Sequence, residues 1–114
     1  MNRYVVDGIV ADLRAGKTIG LMGITRMATR NTFDAVADAI PDYELSRVYR
    51  ANGYEQIDHA AGGSLRLLAT STSKIPSLGL TTLVIADWHH LDIALVENLV
   101  DTIRRVGGID VVRL

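Results

Sequence analysis

From Tyr4 to Leu13 the apolar residues Val6, Ile9, Val10 and Leu13 recur at the i, i+3, i+4, i+7 spacing of one helical face, while Arg3, Asp7, Asp12 and Arg14 occupy the remainder. The pattern predicts a first helix running to about Ala15. Gly16 stands at the expected C-cap, where it can take the left-handed conformation, and Lys17 beside it suits the negative end of the helix dipole. The period then changes: Thr18 to Thr25 (TIGLMGIT) is almost continuously apolar, as a strand buried on both faces is, and is expected in the middle of a parallel sheet. Thr25 to Ile40 returns to helical spacing, with Phe33, Val36, Ala37 and Ile40 on one stripe, Asp34 and Asp38 on the other side, and Pro41 as the stop.

Glu44 to Arg50 alternates imperfectly and reads as a strand, separated by the turn signal Asn52-Gly53 from a second extended stretch at Glu55 to His59. Ala60-Ala61-Gly62-Gly63 supplies another turn before the strand Ser64 to Thr70, so Glu55 to Thr70 is expected as an antiparallel hairpin. Ser71 to Gly79 is rich in Ser, Pro and Gly and is expected as a loop. Thr81 to Ala86 is the second continuous apolar strand, and a third amphipathic helix carrying Val96, Leu99, Val100 and Ile103 follows it and ends at Gly107-Gly108. Ile109 to Val112 closes as a last strand. Helices alternating with buried strands predict a single α/β domain over residues 1–114: a three-layer sandwich on a mostly parallel sheet, with one antiparallel hairpin inserted before the Thr81 strand.

Composition narrows the class without choosing a function. The chain has 114 residues, 48% hydrophobic and 22% charged, which is the balance of a compact soluble protein rather than a disordered one. No apolar run approaches the roughly 18 uncharged residues of a membrane span, and no secretory signal opens the chain, so no membrane partner and a cytoplasmic location are expected. Cysteine is absent, which excludes disulfides, thiolate metal sites and a Cys nucleophile. A net charge of −1 gives no overall basic field, so nucleic-acid binding would need a local patch.

Three spacings carry candidate chemistry. Ala11 to Thr18 (ADLRAGKT) satisfies the loose pattern of a phosphate-cradling loop, which makes Gly16, Lys17 and Thr18 candidates for nucleotide binding. That mechanism needs a buried strand before the loop and a helix after it, because the helix N-terminus and successive backbone N–H groups hold the phosphate. Here a helix precedes and a strand follows, the order of a plain helix cap with a solvated lysine. Second, LVIAD puts Asp87 beyond the carboxyl end of a buried strand, where ligands bind in α/β sheets and where an Asp can hold Mg²⁺. Asp87 is therefore a candidate for nucleotide and for metal. It could join His89, His90 and Asp92 in a transition-metal set, or serve only to favour the next helix's first turn. Third, Thr25, Arg26 and Arg30 at the end of the first buried strand, with Arg47 and Lys74 elsewhere, could hold nucleic-acid phosphates, or be solvated side chains that aid solubility. His59 reads as an ordinary hairpin side chain and Trp88 as a packing residue.

Taken in order, LRAGKT, IGLMGITR, NTFDAVADAI, YEQIDHAAGGSLRLLATS and LVIADWHH resemble the ATPase core of the phage terminase large subunit, and more distantly the first motor domain of helicases. The resemblance covers most of the chain and implies a motor-like α/β fold lacking its first strand and its phosphate loop. Asp87 matches the family's Mg²⁺-orienting Asp and His90 the His of its longer motif, while Trp88 stands where the family places the Glu that activates water. Phosphoryl transfer depends on these parts together. The resemblance therefore implies a phage-type pseudo-ATPase that works by binding or assembly, without catalysis and without a cofactor.

Its implied partners are copies of itself or another phage protein, with DNA contacts weak and sequence-independent. The resemblance implies action in the cytoplasm of the infected host cell, with association with the virion as the alternative. Two rival readings stand beside this one. In the first the chain is an active nucleotide hydrolase using Lys17 and Asp87 with ATP and Mg²⁺; in the second it is a DNA-binding module using the arginines. The loss of the strand that normally fills the middle of a motor-type sheet, together with the apolar third helix and terminal strand, favours a symmetric oligomer.

Overall fold

The computed structural model describes residues 3–23, 25–51, 53–68, 75–86 and 88–114. Helix α1 (Arg3–Arg14) buries Val6, Ile9, Val10 and Leu13, the stripe its spacing predicts. It closes at Gly16, whose φ of 79° lets the N–H groups of Gly16 and Lys17 turn back onto the carbonyls of Leu13 and Asp12, both at 3.0 Å. Helix α2 (Arg26–Ala39) starts on Thr25, whose hydroxyl accepts the Ala28 N–H at 3.2 Å, and buries Phe33, Val36 and Ala37. Pro41 follows the extended C-cap Ile40. Helix α4 (Ile93–Val106) is capped by Asp92, whose carboxylate accepts the Leu95 N–H at 2.8 Å, and ends at Gly107.

Part of the expected loop is helical. Residues 71–74 lie outside the described residues, but Ile75–Leu78 forms a one-turn helix, α3, with Ile75 fully buried. Burial of a single anchor orders a segment too short for any periodicity to announce.

Six strands form one sheet in the order β2-β3-β4-β1-β5-β6, where β1 is Thr18–Met22, β2 Leu45–Ala51, β3 Tyr54–His59, β4 Ser64–Leu67, β5 Thr82–Ile85 and β6 Asp110–Arg113. The β1–β4, β1–β5 and β5–β6 pairs are parallel, and β2, β3 and β4 form an antiparallel meander. The predicted hairpin is thus the β3–β4 half of that meander, and its second arm pairs in parallel with β1, matching Ser64 to Thr18 and Leu67 to Leu21. β1 lies in the middle of the sheet as its apolar run predicts, paired in parallel with β4 on one side and β5 on the other.

Alternation along the strands separates two cores. Ile19, Leu21, Ile57, Leu65 and Val84 pack against α1 and α2 on one face, and Met22, Leu83 and Ile85 pack against Ile75 and Leu99 of α3 and α4 on the other. The result is a three-layer α/β sandwich. Gly63 fastens its layers at one corner, since a Cβ there would fall inside the Leu13 backbone. Beside it, Arg14 donates to both carboxylate oxygens of Glu44, at 2.6 and 3.0 Å. His59 accepts the Ala61 N–H on Nδ1 at 2.9 Å, which assigns its ring proton to Nε2 for donation to Glu44 at 3.0 Å. The Arg14 hydrogen bonds foremost, opposed by partial desolvation and aided by His59, hold the Glu44 carboxyl down to about 2.

Candidate functional site

Parallel strands β1 and β5 end side by side, and their connections diverge, β1 leading to α2 on one face and β5 to α4 on the other. In α/β sheets such a divergence opens a ligand crevice. Here it is narrow: a Cβ on Gly23 would stand 2.7 Å from the Thr29 methyl and 3.2 Å from the Ala86 Cβ. Asp87, the sequence's candidate for nucleotide and metal, lies outside the described residues, as does Lys74. Around that end of β5, Trp88 is half-buried under the Arg113 guanidinium, 5.3 Å from the ring centroid, and His89 and His90 are exposed. Asp92 is engaged as the α4 cap. No group of three or more His, Asp or Glu placed to share a metal occurs among the described residues.

Gly16, Lys17 and Thr18 connect a helix to a strand, at the amino end of β1. The backbone N–H groups of Gly16 and Lys17, which a phosphate cradle would need, already donate to α1 carbonyls. The Lys17 ammonium is 3.6 Å from Asp12. The segment is built as a helix cap, and the direction of the chain rather than its composition decides this.

The arginines divide between two surfaces. Arg26 and Arg30 flank Glu55, which is 3% exposed; its carboxylate accepts the Gly53 N–H at 2.7 Å, lies 3.5 Å from Arg26 and 4.0 Å from Arg30. Arg30 also donates to Asp34 at 3.3 Å and to the Arg50 carbonyl at 3.2 Å, and Arg50 pairs with Asp34. These guanidinium groups are held by protein carboxylates, one of them buried, and drawing Arg26 or Arg30 onto a phosphate would weaken the compensation of buried Glu55. Arg47 pairs with Asp58 in the β2–β3 ladder and so projects from the other side of the sheet. Among the candidate phosphate-binding residues, Arg26 and Arg30 thus lie on one side of the sheet and Arg47 on the other, while Thr25 serves as the α2 cap.

Sequence reasoning missed a groove beside β6. Tyr4, Gly8 and Ile9 of α1 face Ile19, Val84 and Val112 across an apolar cavity of about 320 Å³. Tyr4 is 77% exposed, and Val111 and Val112 on the edge strand are 40% and 39% exposed. Gly8 sits in mid-helix, where glycine costs roughly 1 kcal/mol against alanine, yet a Cβ there would meet nothing within 4 Å. That glycine, interrupting an amphipathic helix, is the signal the sequence offered. Comparison of the chain with protein-family models and with curated proteins finds no match.

Proposed function

We propose that the chain is a small phage-type, terminase-like pseudo-ATPase that acts by assembly rather than catalysis, pairing with a second copy of itself through β6 and the groove beside it. The observation that carries this is the open β6 edge next to a helix glycine with empty space around it. Asp110 and Leu114 donate their N–H groups to β5, so by alternation Val111 and Arg113 offer theirs to the free side. Antiparallel pairing about a two-fold axis would extend the sheet across both copies and set Val112 of each on the groove face. Four strand residues make a short ladder, and the apolar groove supplies the remaining contact. The lineage rests on the resemblance of LRAGKT, IGLMGITR, NTFDAVADAI and LVIADWHH to the terminase ATPase core. The engaged N–H groups of Gly16 and Lys17, and Trp88 in place of the family's Glu, support a binding role over the hydrolase reading.

Light scattering at micromolar concentration tests the assembly. A dimer mass is expected for the native chain and a monomer mass for Val112→Lys and for Gly8→Leu, both still folded. A native monomer unchanged on tenfold concentration would reject the reading. For the nucleotide, calorimetric titration with ATP and Mg²⁺ is expected to show no binding tighter than about millimolar; micromolar binding lost in Lys17→Ala would reinstate the hydrolase.

A further inference from the structure

The meander carries a second exposed surface, at the opposite end of the sheet from β6. Strand register places Arg47 and Tyr49 of β2, Tyr54, Gln56 and Asp58 of β3, and Arg66 of β4 on one face, the side away from α1 and α2. The apolar core under α3 and α4 includes no residue of β2 or β3. Tyr54 is 52% exposed, and the Tyr49 ring meets it edge-on with centroids 5.5 Å apart. The Arg66 guanidinium lies 5.7 Å from the Tyr54 centroid.

The hydrogen-bond partners of these two arginines distinguish this face from the α2 cluster. Arg47 donates to the Tyr49 hydroxyl at 3.0 Å, and Arg66 donates to the Gln56 carbonyl oxygen at 3.1 and 3.3 Å. Neither makes an ion pair with a carboxylate among the described residues. Asp58, the one acid on the face, stands across the ladder from Arg47 and accepts a hydrogen bond from Gln56 at 2.7 Å. The planes of both guanidinium groups are thus oriented by neutral partners, and with two arginines against the single carboxylate of Asp58 the face keeps a net positive charge beside two tyrosine rings.

We propose that this face binds single-stranded nucleic acid, with a base stacked on Tyr54 and backbone phosphates against Arg47 and Arg66. A phosphodiester supplies the missing negative charge, and an unpaired base supplies a π-face for the ring; together these are the components of sequence-tolerant single-strand binding. A duplex keeps its bases stacked and would use only the arginines, and an acidic peptide would leave the rings idle. The proposal is independent of assembly through β6.

Fluorescence anisotropy of a labelled oligonucleotide of about 12 nucleotides, within the span such surfaces cover, tests it on the full chain. Expected is micromolar binding to the single strand, at least tenfold weaker binding to the matching duplex and none to a polyglutamate peptide. Tyr54→Ala should weaken the single-strand complex by roughly 5- to 150-fold, the range found for one stacked base, and Tyr54→Phe should restore it. Replacing Arg47 and Arg66 by Gln should weaken it and lower the salt slope by about 1.4, or about 0.7 per phosphate contact. Arg104→Ala, at an exposed position of α4, should bind like the native chain. Absence of single-strand binding, equal affinity for the duplex, capture of polyglutamate instead, or a Tyr54→Phe variant as weak as Tyr54→Ala would each overturn the assignment.

Discussion

β2 and β6 are the two edges of one sheet, and they are finished in opposite ways. β2 is seven residues long, carries Arg47 and Arg50, and shifts register against β3 between Leu45 and Arg47. Its start is pinned through Glu44 to Arg14 and His59. β6 is four residues long, keeps regular register with β5, and shows two half-covered valines. Charge, irregularity and anchoring are the means by which an edge is kept from pairing with another chain. The longer edge has all three; the shorter edge has brevity and Arg113, whose guanidinium is drawn over Trp88. The difference teaches that the two edges of one sheet carry unequal protection, the β2 edge more and the β6 edge less.

The largest test of this contrast separates the edges from the centre. Leu21→Asp puts a charge into a fully buried position of β1 and is expected to prevent folding, since an unpaired buried charge costs several kcal/mol, on the order of the whole stability. Val112→Lys at the open edge should leave the monomer's stability within about 0.5 kcal/mol, as exposed substitutions usually do. Thermal melts of the two variants decide it. A soluble, cooperatively melting Leu21→Asp protein would mean that β1 is not central.

A smaller effect concerns the anchor of β2. Because the Glu44 carboxyl titrates near 2 when folded and near 4.5 otherwise, its contribution to stability is complete above the higher value and is lost as pH falls through that window. Glu44→Gln should lower stability at neutral pH and flatten the acid limb between about 4.5 and about 2. Denaturant melts at several pH values read this directly; identical acid limbs in both proteins would show that the corner adds nothing. The smallest effect is expected for Arg50→Val, which removes an exposed ion pair worth about 0–1 kcal/mol and one guard of the β2 edge. Its melting should barely change while light scattering grows with concentration. No growth would assign the protection to the bulge and Arg47 alone.

Much of this fold was legible because its signals are local. The α1 stripe, the Gly16 cap, the Pro41 stop and the apolar runs of β1 and β5 each lie within a few neighbours, and each stands where the pattern puts it. What was hidden depends on residues far apart. Glu55 is separated from Arg26 and Arg30 by a helix and a strand, so nothing in the sequence showed those arginines to be neutralised. Arg66 was overlooked because β4 reads as apolar, although the alternation Tyr54, Gln56, Asp58 already marked a polar sheet face. Whether Ile109 to Val112 would lie at an edge or inside the sheet is a matter of strand order, which hydrophobicity does not encode.

The join between β1 and β4 has a kinetic consequence. Thr18 must find Ser64, and the Leu13 backbone must settle against Gly63, before the central strand has a neighbour on that side. Closing so long a stretch of chain loses entropy before any contact rewards it, so the meander is expected to form first and then present β4 as a template. Its antiparallel turns are local and expected to form fast, whereas the parallel docking of β1 is expected to be the slow event. Refolding should therefore be limited by a collision between two preformed pieces, and a newly made chain would hold its first helix and strand unmatched until residue 67 has been released for pairing.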